Sequence, residues 1–139
     1  MAIHTVIASL TLPLLLTAIA SGEPDASVLP IIDIKNVRAQ PSIFKAASRS
    51  KPLVIRSADA AADHFSDDAV AALKRQLDFK QQFVLVFAWR GSGQDRLHYD
   101  VAESFPEQVS FRYTPGRTRD LRPHVYIFAL RSNVKWHVR

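Results

Sequence analysis

FVLVFAW, Phe83 to Trp89, is apolar at every position. A strand with one wet face alternates polar and apolar residues, so an unbroken apolar run marks a central strand covered on both sides. The chain on either side of it changes period. Upstream, Ser66 offers an N-cap, Asp67 and Asp68 fall at the positive end of the helix that follows, and Lys74 and Arg75 lie near its negative end. Val70, Leu73 and Leu77 are spaced to share one face of that helix. Before it, Pro52 to Arg56 (PLVIR) is a short β-prone run, and Ser57 caps a short helix reaching Phe65, with Asp59 in its first turn. Downstream the period becomes two. Leu97 to Val101 turns Leu97, Tyr99 and Val101 inward and His98 and Asp100 outward, Val109 to Tyr113 alternates likewise, and Val125 to Leu130 is mostly apolar. Val134 to Val138 adds a last edge, and Gly91-Ser92-Gly93 and Pro115-Gly116 supply turns. The expected fold class is α+β, an antiparallel β meander or sandwich with one or two N-terminal helices packed on one face.

The first twenty residues have a different character. Met1 to Ala20 carries no charged side chain and ends in Ala18-Ile19-Ala20. An apolar run closed by a small-x-small triplet reads as a secretory signal peptide, cleaved after Ala20. The alternative is an uncleaved membrane anchor, although Pro13 interrupts the run and Thr5 to Ala20 is short for a bilayer span. Both readings place the remainder in a secreted, periplasmic or other cell-envelope location. Residues 21–50 are expected to form a flexible tether, with a possible edge strand around Ile31 to Ile34 held to the edge by Pro30. Residues 51–139 then form a single domain.

Composition narrows the functions open to such a domain. The chain of 139 residues has no cysteine, which excludes disulfides, thiol catalysis and cysteine-ligated metals. Its net charge is +5, with 18 Lys and Arg against 13 Asp and Glu. Residues 110–139 hold seven of the basic side chains (Arg112, Arg117, Arg119, Arg122, Arg131, Lys135 and Arg139) but Asp120 as their one acid. A concentrated basic segment favours anionic partners through long-range attraction, or serves as a solvated strand face. Outside the cytoplasm the partners would be lipid headgroups, acidic polysaccharides or acidic proteins, with no nucleic acid expected. A membrane would be engaged only through an uncleaved signal.

Successive strands of a meander reverse direction, so its first and third connections lie at one end. These are Arg90 to Arg96 (RGSGQDR) and Thr114 to Arg122 (TPGRTRDLR), each combining glycine with an aspartate flanked by arginines. Ser92, Gln94, Asp95, Arg96, Arg117, Arg119, Asp120 and Arg122 are therefore expected to cluster, with His98 and His124 close by. Adjacent polar loops on a rigid sheet are a usual place for binding, and Arg–Asp pairs equally serve to pin long loops. The glycines of GSG precede a strand, whereas a phosphate-binding loop opens a helix. His98 and His124 with Asp95 or Asp120 could compose a metal site, and Ser92, His98 and Asp120 a triad, but no motif of fixed spacing accompanies either. No cofactor, metal or catalytic residue is assigned.

Two motifs carry a resemblance: Phe87-Ala88-Trp89-x-Gly91-Ser92-Gly93-x-Asp95-x-Leu97 and Tyr113-Thr114-Pro115-Gly116-x-Thr118-x-Asp120-Leu121. They resemble a group of small secreted proteins of planctomycete bacteria with no assigned activity, over roughly Lys51 to Val138. That resemblance implies export and a shared fold, and no reaction. The order of helix, Leu77-Asp78-Phe79, apolar strand and glycine turn is also distantly similar to the C-terminal domain of PrcB-type proteins, which stabilise an exported protease complex. That family's turn tends to carry Gly-Gly-Tyr, where this chain has Gly93-Gln94-Asp95. The expected function is accordingly an exported, non-enzymatic module that binds a protein or an anionic envelope component through its Arg/Asp-rich loops. A small hydrolase using Asp95 or Asp120 with a nearby histidine, and a purely structural envelope protein, are the alternatives.

Overall fold

In the computed structural model every residue from Gln82 to Trp89 is buried, and the architecture follows from covering that strand twice. The structure describes Asp25 and residues 27–139, so the expected signal segment lies outside the described residues. Strand β1 (Ile31–Asp33) is followed by a one-turn helix α1 (Ile43–Ala46), strand β2 (Leu53–Ile55) and helices α2 (Ala58–Ala62) and α3 (Asp67–Gln76). Five strands follow: β3 (Gln82–Gly91), β4 (Arg96–Ala102), β5 (Gln108–Thr114), β6 (Arg122–Arg131) and β7 (Lys135–Val138).

The fold is α+β, with the strands divided between two sheets. One is antiparallel in the order β1-β6-β3-β2, and the other has the order β4-β5-β7. Its spine is the ten-residue pairing of β3 with β6, from Gln82 opposite Arg131 to Gly91 opposite Arg122. Alternate residues of these two strands enter different cores. Val84, Val86, Ala88, Ile127 and Ala129 face a cluster containing Ile43, Ile55, Ala61, Phe65, Leu73 and Leu77. Phe83, Leu85, Phe87, Trp89, Phe128 and Leu130 face Leu97, Val109, Phe111 and Val134 of the second sheet. Small and β-branched side chains thus meet the helices, and aromatic ones fill the gap between the sheets. Phe87 lies 4.8 Å from Phe111 and Phe111 5.3 Å from Phe128, measured between ring centroids. The two helices are capped as their sequences direct, Ser57 Oγ accepting from Ala60 N–H and Ser66 Oγ from Ala69 N–H.

Of the two β arrangements expected, the chain adopts the sandwich, crossing between sheets after β3, after β5 and after β6. Two of these crossings carry the chain from β5 through β6 to β7. Each reverses its direction, so β7 returns beside β5 in parallel, Gln108 opposite Lys135. The edge strand expected around Ile31 to Ile34 is present as β1, which pairs with β6 at the sheet edge. The flexible tether expected for the rest of residues 21–50 is corrected beyond it, because Ile34, Ile43 and Ala47 are buried in the core. Arg131, itself buried, fastens this segment. Its guanidinium donates to the Val28 carbonyl at 3.0 Å, to Asn133 Oδ1 at 2.8 Å and to the Glu107 carboxylate, joining the N-terminal segment to both sheets. Among the described residues no helix is long and apolar enough to cross a membrane.

Phe87 sits where both sheets meet and is fully buried. Replacing it by alanine is expected to cost about 3–5 kcal/mol of unfolding free energy, read from urea denaturation. A loss below 1 kcal/mol would show that the inter-sheet aromatic cluster is not the principal core.

Candidate functional site

β3 ends at Gly91, and the chain reaches β4 through Ser92 to Asp95. β5 ends near it, and residues 115–121 lead back to β6. Both connections therefore cross the same end of the sandwich. They grip each other reciprocally. Gly116 N–H donates to Asp95 Oδ1 at 2.7 Å, and Gly93 N–H donates to Asp120 Oδ1 at 3.0 Å. Thr118 N–H donates to Ser92 Oγ at 3.1 Å and Arg117 N–H to Gln94 Oε1 at 3.2 Å. The Ser92 and Thr118 hydroxyls lie 2.6 Å apart. Each loop thus lends a carboxylate that satisfies backbone donors of the other.

Asp95 is only 1% exposed, and a buried carboxylate is costly unless it is hydrogen-bonded. Burial by itself would raise its pKa. The Gly116 N–H, the Trp89 indole N–H at 3.0 Å, the Tyr113 hydroxyl and the charge of His124 outweigh burial and hold it below the ordinary carboxylate range. Tyr113 moves the other way, its phenol pushed up by burial and by Asp95. Asp120 is held far below the ordinary range by the Thr118 hydroxyl, the Gly93 N–H and Arg122. Trp89 is packed for its task. It stacks on Tyr126 and on His124, with centroids at 5.5 and 5.0 Å, and meets Tyr113 edge-on at 5.9 Å. His124 Nε2 lies 2.7 Å from the Ser92 carbonyl oxygen. A carbonyl only accepts, so this nitrogen carries a proton.

The glycines serve the same clasp. A Cβ on Gly91 or Gly93 would run into the carboxylate of Asp95 or Asp120, and one on Gly116 into Ser92 and Gln94. They admit side chains against backbone and leave no cradle for a phosphate. Of the eight residues singled out in the sequence, Ser92, Gln94, Asp95 and Asp120 are internal fastenings of the two loops. Arg96 donates to the Gly93 and Asp95 carbonyls at 3.1 and 2.8 Å, which leaves its charge unneutralised. Arg122 Nε pairs with Asp120 Oδ2 at 2.6 Å. Arg117 and Arg119 are exposed, and their guanidinium groups have no acceptor among the described residues.

Arg49 adds a further cation at this end, its guanidinium 4.5 Å from the Tyr113 ring centroid. Arg90 at the end of β3 lies 4.7 Å from that of Phe44. Nothing local marks Arg49, which stands in the stretch expected to be tether; Arg90 opens the glycine loop and could have been included on that ground. The histidines do not gather. His98 is exposed on β4 opposite Arg112, while His124 is stacked on Trp89 in the other sheet. Among the described residues no group of three or more His, Asp and Glu side chains is placed to hold a metal ion. The triad written from Ser92, His98 and Asp120 finds Ser92 Oγ and Asp120 engaged with the loop backbone.

Asp95→Asn puts an amide N–H₂ among donors and is expected to lower stability by about 1–3 kcal/mol, measured by urea denaturation. Since both carboxylates are held below their unfolded values, the unfolded chain takes up protons first as pH falls. The stabilisation by the clasp is therefore whole at neutral pH and is lost as pH drops through the depressed folded values, below about pH 4. Thermal midpoints followed from neutrality into that range are expected to fall more gently in Asp120→Asn than in the native chain. Parallel curves would show that Asp120 does not carry the acid sensitivity.

Comparison with known proteins leaves the reading to this geometry, because no family model, no curated protein and no solved structure matches the chain.

Proposed function

We propose that this protein is a non-enzymatic binding module acting outside the cytoplasm. Its arginine-bearing loop end receives an anionic ligand, presented by a partner protein or by an envelope polymer. The observation that carries this reading is the division of labour between charges. Asp95 and Asp120 are consumed in holding the loops, while Arg117 and Arg119, on a backbone so fastened, keep guanidinium groups that no acceptor among the described residues engages. Cations fixed on a rigid frame bind anions at a lower entropic cost than the same cations on a mobile loop. Arginine's planar fork suits carboxylate, sulfate and phosphate groups alike.

A hydrolytic role for Asp95 or Asp120 is less well supported. Proton transfer needs a carboxyl within reach of substrate, and Asp95 is buried with both oxygens accepting hydrogen bonds. Export is supported by the sequence of Met1 to Ala20, an apolar run without charge that closes on Ala18-Ile19-Ala20.

The test uses the full chain and two probes, dextran sulfate and polygalacturonate, titrated at low and high salt. Arg117→Gln with Arg119→Gln is expected to weaken binding about tenfold while the thermal midpoint stays within a degree or so of native. Arg122 is left in place because it pairs with Asp120. Affinity should fall with rising salt as screening sets in. Equal affinity of native and doubly substituted chains for both probes would sink the proposal.

A further inference from the structure

Among the described residues the sandwich has four edge strands, and three of them are blunted by length. β1 and β2 have three residues each and β7 has four. Short edges are a common protection against pairing with another chain. β4 is different. It offers seven residues, Arg96 to Ala102, paired one-to-one with β5 without a bulge, and it contains no proline, glycine or lysine. That is an unbroken edge roughly 23 Å long. Outside β5, the one backbone partner of a β4 residue among the described residues is Ser104 N–H on the Ala102 carbonyl, at the strand's end. The side of β4 that faces the core is also incompletely covered. Tyr99 and Val101 are each 38% exposed. Beside them a groove of about 220 Å³ opens between the sheets, lined by Asp33, Leu97, His98, Tyr99, Tyr126 and Phe128.

We infer that β4 is a dimerisation strand, and that its occupant is β4 of a second copy, paired antiparallel about a two-fold axis through Tyr99. The choice of occupant comes from the strand's own order of residues. Antiparallel neighbours must lie on the same face, so a two-fold axis can only be centred on a residue. Centred on Tyr99, the register brings all seven residues of each strand into the ladder. On the outer face His98 meets Asp100 of the other copy, twice. On the inner face Leu97 meets Val101, twice, and the two tyrosines meet at the axis. Every opposed pair is then apolar with apolar or imidazole with carboxylate, except the terminal Arg96 with Ala102. Centring on Asp100 would oppose two carboxylates, and centring on His98 two imidazoles, with a shorter ladder in both cases. Opposite charges across a ladder stabilise it and like charges weaken it. Asp100 also lies 3.9 Å from Arg112 of its own chain, so the outer face would carry an alternating row of basic and acidic groups. The product is one continuous six-stranded sheet, β7-β5-β4 joined to its copy. This inference stands independently of what the arginine loops bind.

Sedimentation equilibrium of the full chain tests it. The native chain is expected to show reversible dimerisation, and a chain that stays monomeric up to about 100 μM, where even weak specific dimers form, overturns the inference. Val101→Lys sets a charge on the inner side of the edge, the device by which natural edge strands resist pairing. It is expected to give a folded monomer whose thermal midpoint matches that of the native chain measured at concentrations where the native chain is itself monomeric, and a dimer that persists in this variant also overturns the inference. The register has its own test. Asp100→Lys should raise the dissociation constant about tenfold, because the carboxylate that can accept from the His98 imidazole N–H is then replaced, twice, by an ammonium that can only donate. Adding His98→Glu sets a carboxylate opposite that ammonium and should bring the constant back toward native. Under a register centred on His98 the same pair of changes would oppose two glutamates, so failure of the rescue overturns the pairing proposed here.

Discussion

A strand that is apolar on both faces has to be covered twice, and the rest of this molecule is organised around that demand. β3 and its partner β6 supply the doubly apolar layer. The helices cover one side, where the facing residues are valine, alanine and isoleucine, and a second sheet covers the other, where they are phenylalanine, tryptophan and leucine. The sizes are matched to the layers. A helix presents a rounded, knobbly surface that seats over short side chains, whereas two sheets pack about 10 Å apart and need long side chains to fill the space. Arg131 closes the assembly at one end, where its buried charge is compensated by Glu107, the Val28 carbonyl and Asn133 Oδ1. A buried guanidinium left without these acceptors would be strongly destabilising.

The opposite end is closed by carboxylates. Two long connections cross there, and each has backbone N–H groups that a strand ladder cannot satisfy. Asp95 and Asp120 satisfy them in exchange, which explains why glycines stand where those oxygens approach. The consequence for function is electrostatic. Acidic groups committed to backbone donors cannot also serve as partners for every arginine around them. The end clasped by the two carboxylates therefore also carries Arg117 and Arg119 with their guanidinium groups unengaged among the described residues. The clasp and the free charge arise from the same set of contacts.

The two proposals differ in what they ask of the surface. Anion capture needs only that cations be fixed in space. Pairing through β4 needs a long regular edge, and it would set two arginine-bearing ends at opposite ends of a joint sheet. A polymer with repeated charges could then engage both, and binding to two linked sites gains by effective concentration without any new contact.

Much of the fold was legible in the residues because its signals are local. The apolar run from Phe83 to Trp89, the serine caps of α2 and α3, and the alternation in β5 each report on their own surroundings. The convergence of the two glycine loops also followed from strand reversal alone. What the sequence by itself determined was therefore the α+β class, the central strand, the capped helices and the meeting of loops 92–95 and 115–121. Only the tertiary structure decided the rest. The burial of Ile43 and Ala47 in a stretch expected to be tether, the parallel seat of β7 beside β5, and the place of Arg49 over Tyr113 depend on residues far apart in the chain. The same holds for Asp95. Its sequence neighbours are polar and its loop reads as exposed, yet it is buried because Trp89, Tyr113 and Gly116 converge on it from two strands and a second loop. Periodicity records which way a side chain points from its own backbone, and it carries no information about what another part of the chain will place there.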